Sequence, residues 1–180
     1  MKKKINISGF TLVELMVVIS IIGILASIVY ANFGGARAGA RDDVRNAAVK
    51  ELQLAIELYR AQYGFYPSSG CTASGTANWA GPGPGTGSFV SCNNYINGLV
   101  PDFIAALPID PLSENTSNVG YYYRSNGSSY KLMSFNAVEA KTVSSAEHEL
   151  ARCPNFASCG GTATDRQRTY AVFSAGAETW

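Results

Sequence analysis

Apolar positions along the chain follow three successive rhythms. From Phe10 to Tyr30 they are nearly continuous, and Glu14 is the only charged side chain in those 21 residues. A helix rising about 1.5 Å per residue carries such a stretch across about 31 Å, close to the hydrocarbon thickness of a bilayer. From Arg41 to Gln62 the pattern becomes periodic. Val44, Ala48, Leu52, Ala55 and Tyr59 recur at three- and four-residue steps with the charges on the other side, which predicts an amphipathic helix. Gly64 and Pro67 end it. Together these segments predict one long helix over 10–63, with Asn32-Phe33-Gly34-Gly35 as the place for a bend or a melted turn.

The third rhythm is β. Tyr121–Ser125 and Ser129–Phe135 flank Asn126-Gly127, a dipeptide suited to a type I′ hairpin turn, and Thr169–Ser174 reads as a third strand. A small antiparallel sheet packed over the apolar stripe of the long helix gives an α+β head. Other segments are less regular. Gly70–Ser91 is a glycine-rich loop containing Gly81-Pro82-Gly83-Pro84-Gly85. Asn93–Pro111 is a short helical or irregular stretch, with Leu99, Val100, Phe103, Ile104 and Leu107 docking on the core. Ser144–Arg152 predicts a short helix and Cys153–Cys159 a tight loop. The expected division is a leader over 1–9, the long helix over 10–63, of which 10–30 spans a membrane, and a head over 64–180.

Charge sharpens this picture. The whole chain carries 14 basic and 13 acidic residues, a formal net charge of +1. Lys2, Lys3 and Lys4 precede the apolar span and by the positive-inside rule stay cytoplasmic, which sends everything after Tyr30 outward. A secretory signal would have a shorter apolar region and a small-x-small cleavage site, for which Ala26-Ser27-Ile28 is a poor match. A plain anchor leaves Glu14 without a role, since a carboxylate in a membrane span usually marks a function. Gly23, Ser27 and Ala31 recur every fourth residue as a small-residue stripe suited to close helix approach. After Tyr30 the 11 basic and 12 acidic residues give no general electrostatic grip on nucleic acid, Arg166 and Arg168 forming at most a local patch.

Enzyme chemistry finds no set of residues. One histidine, His148, excludes a multi-histidine metal centre, and no Cys-x-x-Cys or Gly-x-Ser-x-Gly is present. The glycine-rich loop lacks the spacing and the strand–helix setting of a phosphate-binding loop. Asn115-Thr116-Ser117 and Asn126-Gly127-Ser128 fit the glycosylation sequon, a short pattern that arises by chance.

The order Gly9-Phe10-Thr11-Leu12-Val13-Glu14-Leu15-Met16, after a lysine-rich leader, resembles the leader junction of type IV pilins and type II secretion pseudopilins. The resemblance implies the pilin fold, cleavage between Gly9 and Phe10 by a prepilin peptidase, and N-methylation of Phe10. It also implies that Glu14, as the fifth mature residue, sets register during assembly. The new ammonium on Phe10 and the Glu14 carboxylate lie one helical turn apart, so they can neutralise each other within or between chains. Cleavage removes three lysines from 14 basic residues, leaving 11 against 13 acidic ones. The family often has a proline where Ala31 stands here. Leu58–Pro67 and Ala106–Pro111 resemble the G-type major pseudopilins.

In that group acidic residues after the Leu-Pro-x-Asp-Pro element hold calcium, which makes Asp110 and Glu114 weak candidates, with Asn115 or Asn118 as further oxygen donors. Otherwise no cofactor is expected. Four cysteines in an exported chain allow two disulfides in three connectivities, and Cys71–Cys92 with Cys153–Cys159, each closing a local loop, is the favoured one. The expected function is a structural filament subunit, held in the inner membrane as a single pass with its C-terminus outside, then polymerised into a periplasmic or extracellular filament. Its expected partners are copies of itself, the prepilin peptidase, and the inner-membrane assembly platform with its ATPase. The alternative is a minor pilin whose head is an adhesion or DNA-binding module.

Overall fold

The computed structural model describes residues 10–71, 79–143, 147–155 and 159–180, with the side chains of residues 31 and 32 outside that description. The leader over 1–9, residues 72–78 of the glycine-rich loop and parts of the Ser144–Arg152 and Cys153–Cys159 segments therefore lie outside the described residues. The chain divides into two compact units, Met1–Ala38 and Gly39–Trp180.

Helix α1 spans Leu12–Tyr63 and runs without a break through Asn32-Phe33-Gly34-Gly35, so no melted turn forms there. In its first unit, leucine, isoleucine, valine and methionine project outward, from Leu12, 73% exposed, to Phe33, 49% exposed. The two serine hydroxyls in this stretch turn back on the helix: Ser20 Oγ donates to the Met16 carbonyl and Ser27 Oγ to that of Ile24, both at 2.7 Å, so neither is left bare on an apolar surface. At the far end Gly64 takes φ +83° and its N–H donates to the Arg60 carbonyl at 2.7 Å, a left-handed stop that glycine adopts without steric penalty.

Within the second unit the C-terminal half of α1 packs on a five-stranded sheet. The strands are β1 (Trp79–Gly81), β2 (Phe89–Ser91), β3 (Gly120–Ser125), β4 (Tyr130–Phe135) and β5 (Tyr170–Phe173), in the order β2-β1-β3-β4-β5. All neighbours are antiparallel except β1 and β2. Alternation along each strand loads both faces. Tyr121, Tyr123, Tyr130, Leu132, Tyr170 and Val172 join the core with Ala48, Val49, Leu52, Ala55 and Ile56 of α1. Tyr122, Met133, Phe135, Ala171 and Trp79 form a second cluster.

The buried face of α1 is rotated from the expected one. Val44 is 65% exposed, while Asp42, Arg45, Val49 and Ile56 are buried with Ala48, Leu52 and Ala55. Tyr59 is half-buried, its ring 5.4 Å from that of Phe103 and 4.5 Å from that of Tyr63. The stripe that packs is thus 45-49-52-56, with a charged residue at its head.

Four further expectations need correction. The hairpin pairs Ser125 with Tyr130, so its loop has four residues rather than a two-residue type I′ turn. Asn126 supplies the reason, because its Oδ1 accepts the N–H groups of Ser128 and Ser129, and only Gly127, at φ +84°, is left-handed. The glycine-rich loop contributes the two short strands β1 and β2, since Trp79 and Phe89-Val90 find ladder partners between the glycines. No helix forms at 147–152, where the Leu150 N–H donates to His148 Nδ1; the short helix is α2 (Ala163–Gln167), capped reciprocally by Thr162 and Asp165. Asn93–Pro111 is irregular; Leu99 is buried and Phe103, Ile104 and Leu107 pack against the core, but Val100 is 39% exposed.

Candidate functional site

Two places carry the residues of interest, one in each unit. At the start of α1, Phe10 is 84% exposed and Thr11 is the cap. Thr11 Oγ1 and the Thr11 N–H donate to Glu14 Oε2 at 2.7 and 2.9 Å, and Thr11 Oγ1 accepts the Glu14 N–H at 3.2 Å. This is a capping box, legible in Thr-x-x-Glu though not anticipated, and it satisfies orphan donors at a helix start that no other element among the described residues covers. In the intact chain the structure therefore joins Glu14 to Thr11 and not to Phe10, while Gly9 lies outside the described residues. The span that follows has a mean hydropathy of 2.7 over its most apolar 18 residues and is long and apolar enough to cross a membrane. Gly23, on the small-residue stripe, leaves open space where a side chain would stand.

In the second unit a charge cluster fastens α1 to the head. Arg45, 1% exposed, lies on the stripe that continues to Val49 and Leu52. Its Nε and Nη2 donate to Asp110 at 2.6 and 3.0 Å, a bidentate fork, and its Nη1 donates to Asp42 Oδ1 and Glu139 Oε1, both at 2.8 Å. Asp42 accepts three consecutive backbone N–H groups, those of Glu139, Ala140 and Lys141, at 2.7–3.1 Å. Arg41 holds the other side of Glu139 through Nε at 2.7 Å and Nη2 at 2.5 Å. Lys141 pairs with Asp43, and Lys50 with Glu149, at the exposed margin. Hydrogen bonds from Arg41 and then Arg45 hold Glu139 down to about 2, against the opposing effect of burial. Burial works against the charge on Arg45, but the bonds to Asp110, Glu139 and Asp42 outweigh it and its pKa is raised.

Sequence reasoning assigned these charges to the solvent side of the helix. The signal that could have found Arg45 is its spacing, four before Val49 and seven before Leu52.

The calcium candidates are not brought together. Asp110 gives both carboxylate oxygens to Arg45, one of them also accepting the Leu112 N–H, whereas Glu114 is exposed. Among the described residues no group of three or more His, Cys, Asp or Glu is placed to hold a metal ion. Cys71 is bonded to Cys92 and Cys153 to Cys159. His148 stacks on Tyr170, and Arg166 donates from Nη1 to the Gly161 carbonyl.

A long apolar helix entering an α+β head behind a capped Phe-Thr-x-x-Glu start defines a helix-anchored subunit of the pilin type. The family described as "Prokaryotic N-terminal methylation motif" matches residues 5–30. Type II secretion system core protein G of Aeromonas hydrophila is 35% identical over 106 residues, 58% of this chain and 66% of that protein. The Klebsiella pneumoniae protein of the same name is 34% identical over 105 residues, 57% of this chain and 67% of its own. Type IV wide pilus major component PilA4 of Thermus thermophilus is 39% identical over 64 residues, 36% of this chain and 49% of that protein. The matched stretch covers less than two thirds of the Aeromonas protein, and 47% of core protein G of Vibrio cholerae. No solved structure matches the chain. The chain belongs to the type IV pilin and type II secretion pseudopilin family, whose members are structural subunits and not enzymes.

Proposed function

We propose that the chain is cut between Gly9 and Phe10, methylated at the new N-terminus, and polymerised through α1 into a homopolymeric filament. The observation that carries this reading is the apolar surface of α1. From Leu12 to Tyr30 its large side chains are 45–82% exposed, a surface that water does not tolerate and that lipid, and then neighbouring copies, would cover. Before assembly the subunit spans the inner membrane once with its head outside, and it is handed on by an assembly platform with its ATPase. Cleavage frees an ammonium on Phe10 one turn from Glu14. The carboxylate then exchanges its Thr11 bonds for a charged partner, on its own chain or on a neighbour's, and that choice fixes stagger.

Co-expression with a prepilin peptidase tests the first step, and the expected product has lost the nine residues up to Gly9 and begins at a methylated Phe10. Glu14→Ala tests the second. Membrane insertion stays normal and filaments are absent by electron microscopy. An uncut chain in the presence of the peptidase, or normal filaments from Glu14→Ala, defeats the corresponding step.

A further inference from the structure

On the sheet face opposite α1, the second aromatic cluster encloses space. Trp79, Phe89, Phe135 and Trp180 line a cavity of about 590 Å³ that contains both tryptophans of the chain. That volume lies within the range of small-molecule sites. The indoles are held in place. The Arg124 guanidinium lies 4.5 Å from the ring centre of Trp180 and 5.9 Å from that of Trp79, and Lys131 Nζ donates to the backbone oxygens of Glu178 and Trp180 at 2.8 and 3.0 Å. Walls fixed before a ligand arrives reduce the ordering cost of binding it.

Arg152 makes this more than an aromatic hollow. It lines the cavity, is 7% exposed, and sits 5.1 Å over the Phe135 ring. Among the described residues its Nε and Nη1 are buried without a hydrogen-bond partner, and it forms no ion pair. Burial lowers its pKa, with Asp165 opposing from nearby. Asn136, on the same wall, has a buried Oδ1 that also lacks a partner. Buried donors and acceptors left unmet cost about 1–3 kcal/mol each, and more when charged, so native structures seldom keep them without a use.

We propose that this cavity binds a sugar residue bearing a carboxylate, of the uronic-acid class, with the carboxylate on Arg152 and the ring against the indoles. The chemistry selects this class on three counts. Flat indole faces suit the apolar C–H face of a pyranose, while Asn136 accepts from a hydroxyl and the polar side chains of Ser88, Ser117 and Asn118 meet others at the edge. Among the lining residues Arg152 is the one cation and Asp165 the one side-chain carboxylate, with Arg166 and Lys131 acting on Arg152 from outside the lining, so the cavity matches a single negative charge rather than a phosphate dianion. The cavity lies on a sheet face, which offers no run of unpaired backbone groups for an extended peptide. Ser88, Ser117, Gly160 and Gly161 are exposed, giving the ligand a way in.

The test uses the full chain in detergent micelles, unassembled, so it stands or falls separately from the filament reading. Tri-galacturonate, its neutral counterpart galactotriose and an acidic tripeptide are titrated, with tryptophan emission and calorimetry as readouts. Tri-galacturonate is expected to bind saturably and to shift the emission of both indoles. Galactotriose, and tri-galacturonate on Arg152→Gln, are expected to bind about tenfold more weakly or worse, the loss of one charge-assisted bond. Arg152 is buried, so Ser88→Asp provides a variant from an exposed position. Its carboxylate at the rim weakens tri-galacturonate severalfold at low salt, less at high salt, with the thermal midpoint unchanged. Equal binding of galactotriose, preference for the tripeptide, no saturable binding, or an unaffected Ser88→Asp overturns the assignment.

Discussion

Replacing Arg45 by methionine is the most direct test of how α1 is fixed to the head. The guanidinium is 1% exposed and gives four hydrogen bonds to three carboxylates, two of which, Asp42 and Asp110, are fully buried. Methionine fills much of the volume but leaves Asp110 with only the Leu112 N–H, while Asp42 keeps its three backbone donors. Removing one member of a buried ion pair costs about 3–5 kcal/mol, because the partner stays desolvated without compensation. With a urea slope of about 2 kcal/mol per molar, the midpoint moves down by about 2 M. Urea titration in detergent followed by tryptophan emission reports on the head alone, because Trp79 and Trp180 both lie within it. Arg45→Lys keeps the charge but not the planar fork, and recovers less than half of the loss. Combining Arg45→Met with Asp110→Asn removes the stranded charge and restores part of the stability. A shift of Arg45→Met within about 1 kcal/mol of the parent refutes the reasoning, since it means water reaches the cluster.

Three other outcomes follow from the same geometry. Glu139 has a folded pKa of about 2 against an ordinary 4.5, so its contribution is fully present above pH 4.5 and is lost as pH falls toward 2; Glu139→Gln flattens stability across that window by about 1–2 kcal/mol, seen in midpoints measured from pH 2 to 6. Cys71 and Cys92 are 21 positions apart, and opening that loop with Cys71→Ser/Cys92→Ser costs about 3 kcal/mol by the loop-entropy relation, read as a lower thermal midpoint without change in the Arg45 cluster's acid response. Calcium at about 5 mM leaves the thermal midpoint unchanged, because Asp110 is committed to Arg45; a rise of several degrees shows that another oxygen set binds it.

The long helix and the β3–β4 hairpin were legible because each repeats a simple period over many residues, and tertiary packing agrees with it. The first turn of α1 was also written locally, in Thr11 and Glu14 three apart. What escaped was set by distant partners. Val44 has the right character for the core, but Arg45, one position on, takes the buried place because Asp110 and Glu139 arrive there from elsewhere in the chain. Strands β1 and β2, three residues each, are too short to show alternation and exist through their ladder partners. The cavity was equally hidden, since Trp79, Arg152 and Trp180 are brought together only by the sheet and the segments that cross its far face.

The clasp on α1 also sets an order of events. Asp42 accepts from backbone groups 97 to 99 positions further along, and Arg41, Lys50 and Lys141 tie the same two regions across 98 to 99 positions. Contacts of such separation close late, after the entropy of a long loop has been lost. In the proposed single-pass topology, Asp42 and Arg45 have no dry place to go until residue 141 has crossed the membrane, and this half of α1 stays a solvated helix until then. In that topology, emergence of the last quarter of the chain is the event that locks this half of α1 to the sheet. A chain cut short of residue 141 lacks that lock and, loosely packed, is open to proteolysis.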